Sequence, residues 1–400
     1  MEQRFSFGKW EHGEADFAGR HVKVLPDKVL LDQRKYIAEK IFPLKPARGR
    51  LGNKQELLDK DEFEQYRSLL YKIDWVAHQT RPEAAGVVSI LSSRLKQATV
   101  HDLACLNKLA AHLRNTAQQC LVLHKFENKD MVFIAASNAG GVDSLPIRKR
   151  SNELQDTVQG AWVIMASNEL PAADRKSKVS ILSWRSTKLK RRVSSTLAGE
   201  ALSFSQSLGE MEWLQVMFRD IVYGDVCRKD WRSTLLPFIG LLREECELHE
   251  KLKECAITDA KSLYDAILKN NPTSRQDRRT SIELAIISET MSKTKGLLRW
   301  SPHPKMTADA LTKDDISKTN GALEEVLRTV RTGRLCLWDE EAELLRRKDP
   351  KFRGRSIRAS ELIRQGGVNL LTLLDDLHVN KYLGALLIHT TCHEDVQSSN

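Results

Sequence analysis

The chain has 400 residues, 41% of them hydrophobic and 29% charged, which is enough for two modest domains that each bury a core. Lys and Arg exceed Asp and Glu by ten, a balance that favours an anionic partner such as nucleic acid and equally describes a generally basic soluble protein. Met1 to Asp16 is too charged for a secretory leader, Tyr382 to Ile388 is too short an apolar run to span a bilayer, and seven Cys without a CxxC pair indicate neither a disulfide framework nor a zinc site.

An odd number of thiols suits a reducing compartment, and with no targeting signal or spanning run seen, an intracellular protein, cytoplasmic or nuclear and without membrane attachment, is expected. The first sixty residues read as short strands and turns punctuated by Pro26, Pro43 and Pro46. From Asp61 the pattern turns helical, with Phe63, Tyr66, Leu70, Ile73 and Ala77 at alternating three- and four-residue steps. Pro82 stands at a first helical position and opens a second helix through about Lys96. A third runs from about Val100 to Thr116, with Leu103, Leu106, Ala110 and Leu113 on one side. Met131 to Ala136 reads as a strand that runs into a loop at Ser137-Asn138-Ala139-Gly140-Gly141. A polar stretch with a basic knot at Arg148, Lys149 and Arg150 follows. Ala161 to Ala166 and Val179 to Trp184 are the next strands, then a long helix from about Ser195 to Tyr223. The strand Cys255 to Thr258, the helices Lys261 to Leu268 and Gln276 to Met291, the strand Leu297 to Trp300 and a short helix Thr307 to Thr312 complete the order. Strands alternating with helices in this way predict an α/β fold with a mixed sheet. Arg346 to Arg358, with seven basic residues, reads as a solvated linker or a nucleic-acid-contacting arm.

Three carboxylates stand at places where a sheet converges its side chains. Glu200 flanks the apolar stripe Leu197, Ala201, Phe204, Leu208 and Met211 of the long helix, where an unpaired charge is costly. Asp259 follows a strand and precedes a helix. Asp309 follows a strand and a loop containing His303. Any one of them alone reads as a surface or capping residue. Together they have the hard oxygen donors that magnesium or manganese requires, as in nucleases that cut a phosphodiester with two ions.

Several segments, in order, resemble the polymerase polyprotein of copia-type long-terminal-repeat retrotransposons. Leu31-Asp32-Gln33-Arg34-Lys35-Tyr36-Ile37, Tyr66-Arg67-Ser68-Leu69-Leu70, Trp75-Val76-Ala77-His78-Gln79-Thr80-Arg81-Pro82 and Asp102-Leu103 to Asn107-Lys108-Leu109 are similar to the end of its reverse transcriptase. Ser183-Trp184-Arg185-Ser186-Thr187-Lys188, Ser195-Thr196-Leu197-Ala198-Gly199-Glu200, Thr258-Asp259-Ala260-Lys261-Ser262 and Ala308-Asp309-Ala310-Leu311-Thr312-Lys313 are similar to its ribonuclease H domain. The resemblance covers roughly residues 15 to 335.

It implies a reverse transcriptase C-terminal segment over 1–125, thumb- or connection-like and helical from about 61. It further implies a ribonuclease H-like mixed sheet with flanking helices over 126–330, and a basic linker and tail over 331–400. The implied activity is hydrolysis of RNA–DNA hybrid with Mg2+ or Mn2+ as cofactor. Glu200, Asp259 and Asp309 correspond to three of four metal-binding carboxylates, with His303 as an auxiliary group. The first carboxylate position is filled by Asn138, which removes a charge and a metal ligand, so the nuclease is expected to be weak or inactive. Asp143 lies five residues on and is a poor substitute. The family's polymerase motif would precede Asp16, and Leu373-Leu374-Asp375-Asp376 lies in the wrong order, so no polymerase activity is expected. Glu83 replaces an aspartate of the family.

Two basic groups, Arg185, Lys188, Lys190, Arg191 and Arg192, and Arg275, Arg278 and Arg279, are expected to contact hybrid or duplex phosphates beside the carboxylates. Trp184 and Trp300 offer stacking surfaces, although strand tryptophans more often belong to cores. The competing readings are a catalytically inactive nucleic-acid-binding remnant and a domesticated interaction protein; the rest of the polyprotein is a further expected partner.

Overall fold

The computed structural model describes residues 12–45, 49–128, 131–141, 158–171, 176–191, 193, 195–223, 253–268, 277–318 and 321–337, which fall within one compact unit. Asp143, the knot 148–150, Arg192, Arg275, the basic stretch 346–358 and the Leu-rich segment with Asp375 and Asp376 lie outside them. Among the described residues no helix is long and apolar enough to cross a membrane.

The N-terminal strands β1 (Glu14–Phe17), β2 (Arg20–Val24) and β3 (Lys28–Asp32) form an antiparallel meander, closed by β4 (Leu121–His124) against β3. Between β3 and β4 the chain is helical. The short α1 (Arg34–Lys40) occupies a segment expected to hold only strands and turns. The helix α2 (Lys60–Gln79) starts at a reciprocal cap in which Asp59 accepts from the Glu62 N–H and the Glu62 carboxylate accepts from Asp59 N–H. A 3-10 turn at Pro82–Ala84 leads into α3 (Ala85–Ser93), and α4 (Val100–Asn115) begins with the same kind of box between Thr99 and Asp102. Tyr66, Leu70, Ile73 and Ala77 of α2 pack against Val87, Leu91, Leu106 and Leu113 as one apolar cluster.

The larger sheet has five strands. In space their order is β10 (Leu297–Trp300), β9 (Lys253–Thr258), β5 (Val132–Gly141), β6 (Val158–Ser167) and β8 (Ser180–Lys188). β5, β6 and β8 are antiparallel, whereas β9 and β10 run parallel to β5. This is the mixed α/β sheet that the element order predicts. The strand β5 continues through Asn138 to Gly141, paired with β6 along its length, rather than ending in a loop at Ser137.

Both faces of this sheet are covered, which is why β5 and β6 are apolar without alternation. Phe133, Ala135, Trp162 and Ile164 face α5 (Thr196–Tyr223), α6 (Lys261–Leu268) and α7 (Arg278–Thr294). Ile134, Ala136, Ala161 and Val163 face the opposite way, against Ala85 of α3, the segment Met306–Leu311 and α8 (Ala322–Thr332). The last strand, β11 (Arg334–Cys336), pairs with β7 (Lys176–Lys178). Neither of these, nor β4 or α8, is among the elements expected from the sequence.

Candidate metal centre

The parallel register between β5 and β9 fixes the first relationship. Ser137 stands opposite Thr258, so the next residues along the two strands, Asn138 and Asp259, are neighbours at the same sheet end. Alternation turns Ser137 toward α5, where it donates to Ser203 at 3.1 Å, and Asn138 toward the other face. There the Asn138 amide donates to Asp309 Oδ1 at 2.7 Å.

Glu200 reaches the same sheet end from α5. The Ser195 hydroxyl accepts from Ala198 N–H and starts the helix. Gly199 then allows that first turn to approach the strands, since a Cβ there would lie 3.1 Å from Val158 Cγ1 and 3.7 Å from Ala139 Cβ. Glu200 follows with 5% exposure, and its Oε2 accepts from Ala139 N–H at 3.0 Å.

Asp309 begins a buried 3-10 turn, Asp309–Thr312, and is 1% exposed. Lys313 Nζ lies 2.8 Å from its Oδ1. The half-exposed His303 bridges two acids, with Nδ1 2.8 Å from Asp259 Oδ2 and Nε2 3.4 Å from Asp309 Oδ2. One donor atom from each of Asp259, His303 and Asp309 lies within 4.8 Å of the others.

The electrostatics follow from this crowding. Burial, then the charges of Asp259 and Asp309, push the Glu200 carboxyl up to about 9, so at neutral pH it holds a proton. The hydrogen bond to Asp259, opposed by burial and helped by the charge of Asp309, raises the His303 pKa. Asp309 Oδ2 is buried without a hydrogen bond and faces His303 Nε2 at 3.4 Å. That acceptor, beside the Asp259 carboxylate and a Glu200 carboxyl kept protonated first by burial and then by its acidic neighbours, fits a hard divalent cation. Asp259, His303 and Asp309 bring donor atoms together there, Glu200 lies at the same sheet end on Ala139 N–H, and Asn138 presents an amide to Asp309.

The four positions from the sequence, Asn138, Glu200, Asp259 and Asp309, therefore meet at one end of the sheet together with His303. Sequence reasoning gave no role to Lys313 or to the Ala139 N–H. Lys313 was within reach, because a Lys four residues after an acid on a tight turn is its natural neighbour.

The basic residues divide. Arg191, paired with Glu283, and Arg279 come together on a groove of about 620 Å³ between the start of α5 and α7, with Val193, Ala198 and Leu202 as its apolar floor. Arg278, Lys190 and Lys188 are exposed, and so is Arg185 on β8. Both tryptophans point inward. Trp300 is 2% exposed and donates to the Asp259 carbonyl at 2.9 Å, and Trp184 donates to Ala77 O at 2.8 Å. They serve the core rather than a base-stacking surface. Glu83 is also buried, with Arg81 Nε 2.6 Å from its Oε1.

No family model and no curated protein matches this sequence. Among solved structures, the chain aligns with the N-terminal RNase H domain of a Mycobacterium tuberculosis protein, solved as a fusion with maltose-binding protein. The identity is 10%, over 47% of this chain and 96% of that one, and the TM-score is 0.26, which is too low to carry an argument.

Proposed function

We propose that this chain carries a ribonuclease H-type site acting on RNA–DNA hybrids, descended from a copia-type retrotransposon polyprotein and weakened by Asn138. On this reading residues 1–125 are the end of a reverse transcriptase, 126–330 are the nuclease-like part and 331–400 are a basic linker and tail. The observation that carries it is the meeting of Asn138, Glu200, Asp259 and Asp309 from four separate segments at one sheet end.

Divalent ions bound there would activate a water and neutralise charge on the leaving oxygen. The residues themselves supply the rest. Asp259 and Asp309 offer buried oxygens in fixed orientations, and Glu200, once deprotonated, would be a third ligand. His303, at the mouth, is placed to carry a proton beside the scissile phosphate. Asn138 gives Asp309 a hydrogen bond where an aspartate would add a further carboxylate to the site. Three carboxylates hold one ion more readily than two, so activity falls while affinity for nucleic acid persists. Arg191 and Arg279, which share the groove beside the start of α5, are the proposed phosphate contacts.

A second reading, a catalytically silent hybrid-binding remnant, is favoured by the same Asn138–Asp309 hydrogen bond and by the Lys313–Asp309 ion pair. Cleavage of a hybrid labelled on its RNA strand, in Mn2+, separates the two. The expected result is slow cutting by the natural chain and much faster cutting by Asn138→Asp, abolished by Asp259→Ala. If neither form cuts but both bind hybrid, the silent remnant is the better account.

A further inference from the structure

The turn that carries Asp309 is held from both sides at unusually short range. On one side is Gly86 of α3: a Cβ there would lie 2.5 Å from the Leu311 carbonyl oxygen and 2.6 Å from its carbon, backbone atoms that cannot swing aside. On the other is Gly140 of β5, where a Cβ would lie 2.8 Å from both Cβ and Oγ1 of Thr312. Two missing side chains thus set the slot in which Asp309–Thr312 lies.

A chain of hydrogen bonds fixes the turn along the slot. Ser186 of β8 donates to the Leu311 carbonyl at 2.6 Å. The buried amide of Gln159 donates to Ser186 Oγ and to Ser89 Oγ of α3, each at 2.8 Å. Just beyond Lys313, Arg94 Nη1 reaches Asp314 at 3.3 Å and Lys108 Nζ reaches Asp315 at 2.6 Å. Every one of these tethers except Ser186, Gln159 and Gly140 comes from residues 86–108.

We propose that the N-terminal helices are a positioning element for Asp309, so that cation affinity at the carboxylate site depends on α3 through Gly86, Ser89, Gln159 and Ser186. This rests on the carboxylate cluster being a cation site. A buried carboxylate binds a metal well only when its own backbone cannot drift, and loss of a partner that orients a ligand costs about 10- to 100-fold in affinity. The face of α3 that meets the turn is then part of the site, whereas the apolar centre of the helices is not.

The test is Mn2+ affinity, read by electron paramagnetic resonance on the full chain, in the natural form and with Asn138→Asp, well below the melting temperature. Ser186→Ala and Gly86→Ala are each expected to weaken Mn2+ binding about tenfold. Ser89→Ala is expected to weaken it less, and Ser89→Thr, which keeps the hydroxyl, to restore it. Ile73→Val, in the apolar centre of the helices and away from the turn, should lower stability and leave affinity unchanged. If Ser186→Ala and Ser89→Ala bind Mn2+ like the parent while Asp309→Ala loses binding, the positioning role is overturned and the cation site stands. The role is equally overturned if Ile73→Val weakens binding as much as Ser186→Ala. If Mn2+ binds neither form, or Asp309→Ala leaves its affinity unchanged, the cation site itself fails and this role fails with it.

Discussion

Replacing Glu200 by Gln isolates the electrostatic consequence of the carboxylate cluster. Burial and two neighbouring aspartates push this carboxyl from an ordinary value of 4.5 up to about 9. Folding therefore takes up a proton across that interval, and the contribution runs against stability as pH rises through it. One group changes the unfolding free energy by at most about 1.4 kcal/mol per pH unit, so the loss between pH 5 and pH 8 approaches ~4 kcal/mol. Glu200→Gln has the same shape, keeps an oxygen for the Ala139 N–H, and has no proton to hold. Urea unfolding of both proteins in EDTA, in half-unit pH steps, should show the natural chain losing ground to the variant steadily from pH 5 to pH 8. Parallel curves would refute the claim that Glu200 is buried protonated among acids. Adding Mn2+ should flatten the natural curve, because a coordinated carboxylate has already given up its proton.

Asn138→Asp should destabilise the protein in EDTA by about 1–3 kcal/mol, since Asp309 loses a donor and gains a like charge, and Mn2+ should return that stability; unchanged stability in EDTA counts against the observed hydrogen bond. Arg81→Ala should cost about 3–5 kcal/mol in chemical unfolding, because it strands Glu83, whose carboxyl burial pushes up while Arg81 and His112 hold it below its ordinary value. Arg191→Ala and Arg279→Ala should each lower the salt dependence of hybrid binding by about one unit of slope, with no change in RNA-sequence preference. An unaltered slope for both removes the groove from the nucleic-acid path.

The helices most legible in the sequence were those with a full apolar stripe and a cap. Tyr66, Leu70, Ile73 and Ala77 mark α2 from the sequence alone, and the structure adds the Asp59–Glu62 cap before them. The helix α1 was not legible, because seven residues with one buried side chain, Ile37, and no side-chain cap leave almost no pattern. The helix α8 had a readable signal that went unused: Ala322, Val326 and Val330 recur every fourth residue between Gly321 and Gly333. The strands β4, β7 and β11 are three or four residues long and take their pairing from distant partners, which no local period reveals.

At the site, the residue types and their order along the chain were legible. What joins them was not. Asn138 and Asp309 are 171 positions apart, and Ser186 and Leu311 are 125 apart. Gly86 and Gly140 look like ordinary small residues until the turn that they admit is seen between them. The basic residues were legible as charge but not as a surface, since Arg191 and Arg279 become neighbours only through the packing of α5 against α7.

The most direct test of the carboxylate cluster as a cation site is an anomalous difference map from manganese-soaked crystals of the natural chain and of Asn138→Asp. The natural chain should hold one manganese between Asp259 and Asp309, with His303 displaced, and Asn138→Asp should add a second about 4 Å away. If neither crystal holds manganese in contact with Asp259 or Asp309, the cluster is a structural network of buried acids and the proposed nuclease ancestry of the site is contradicted.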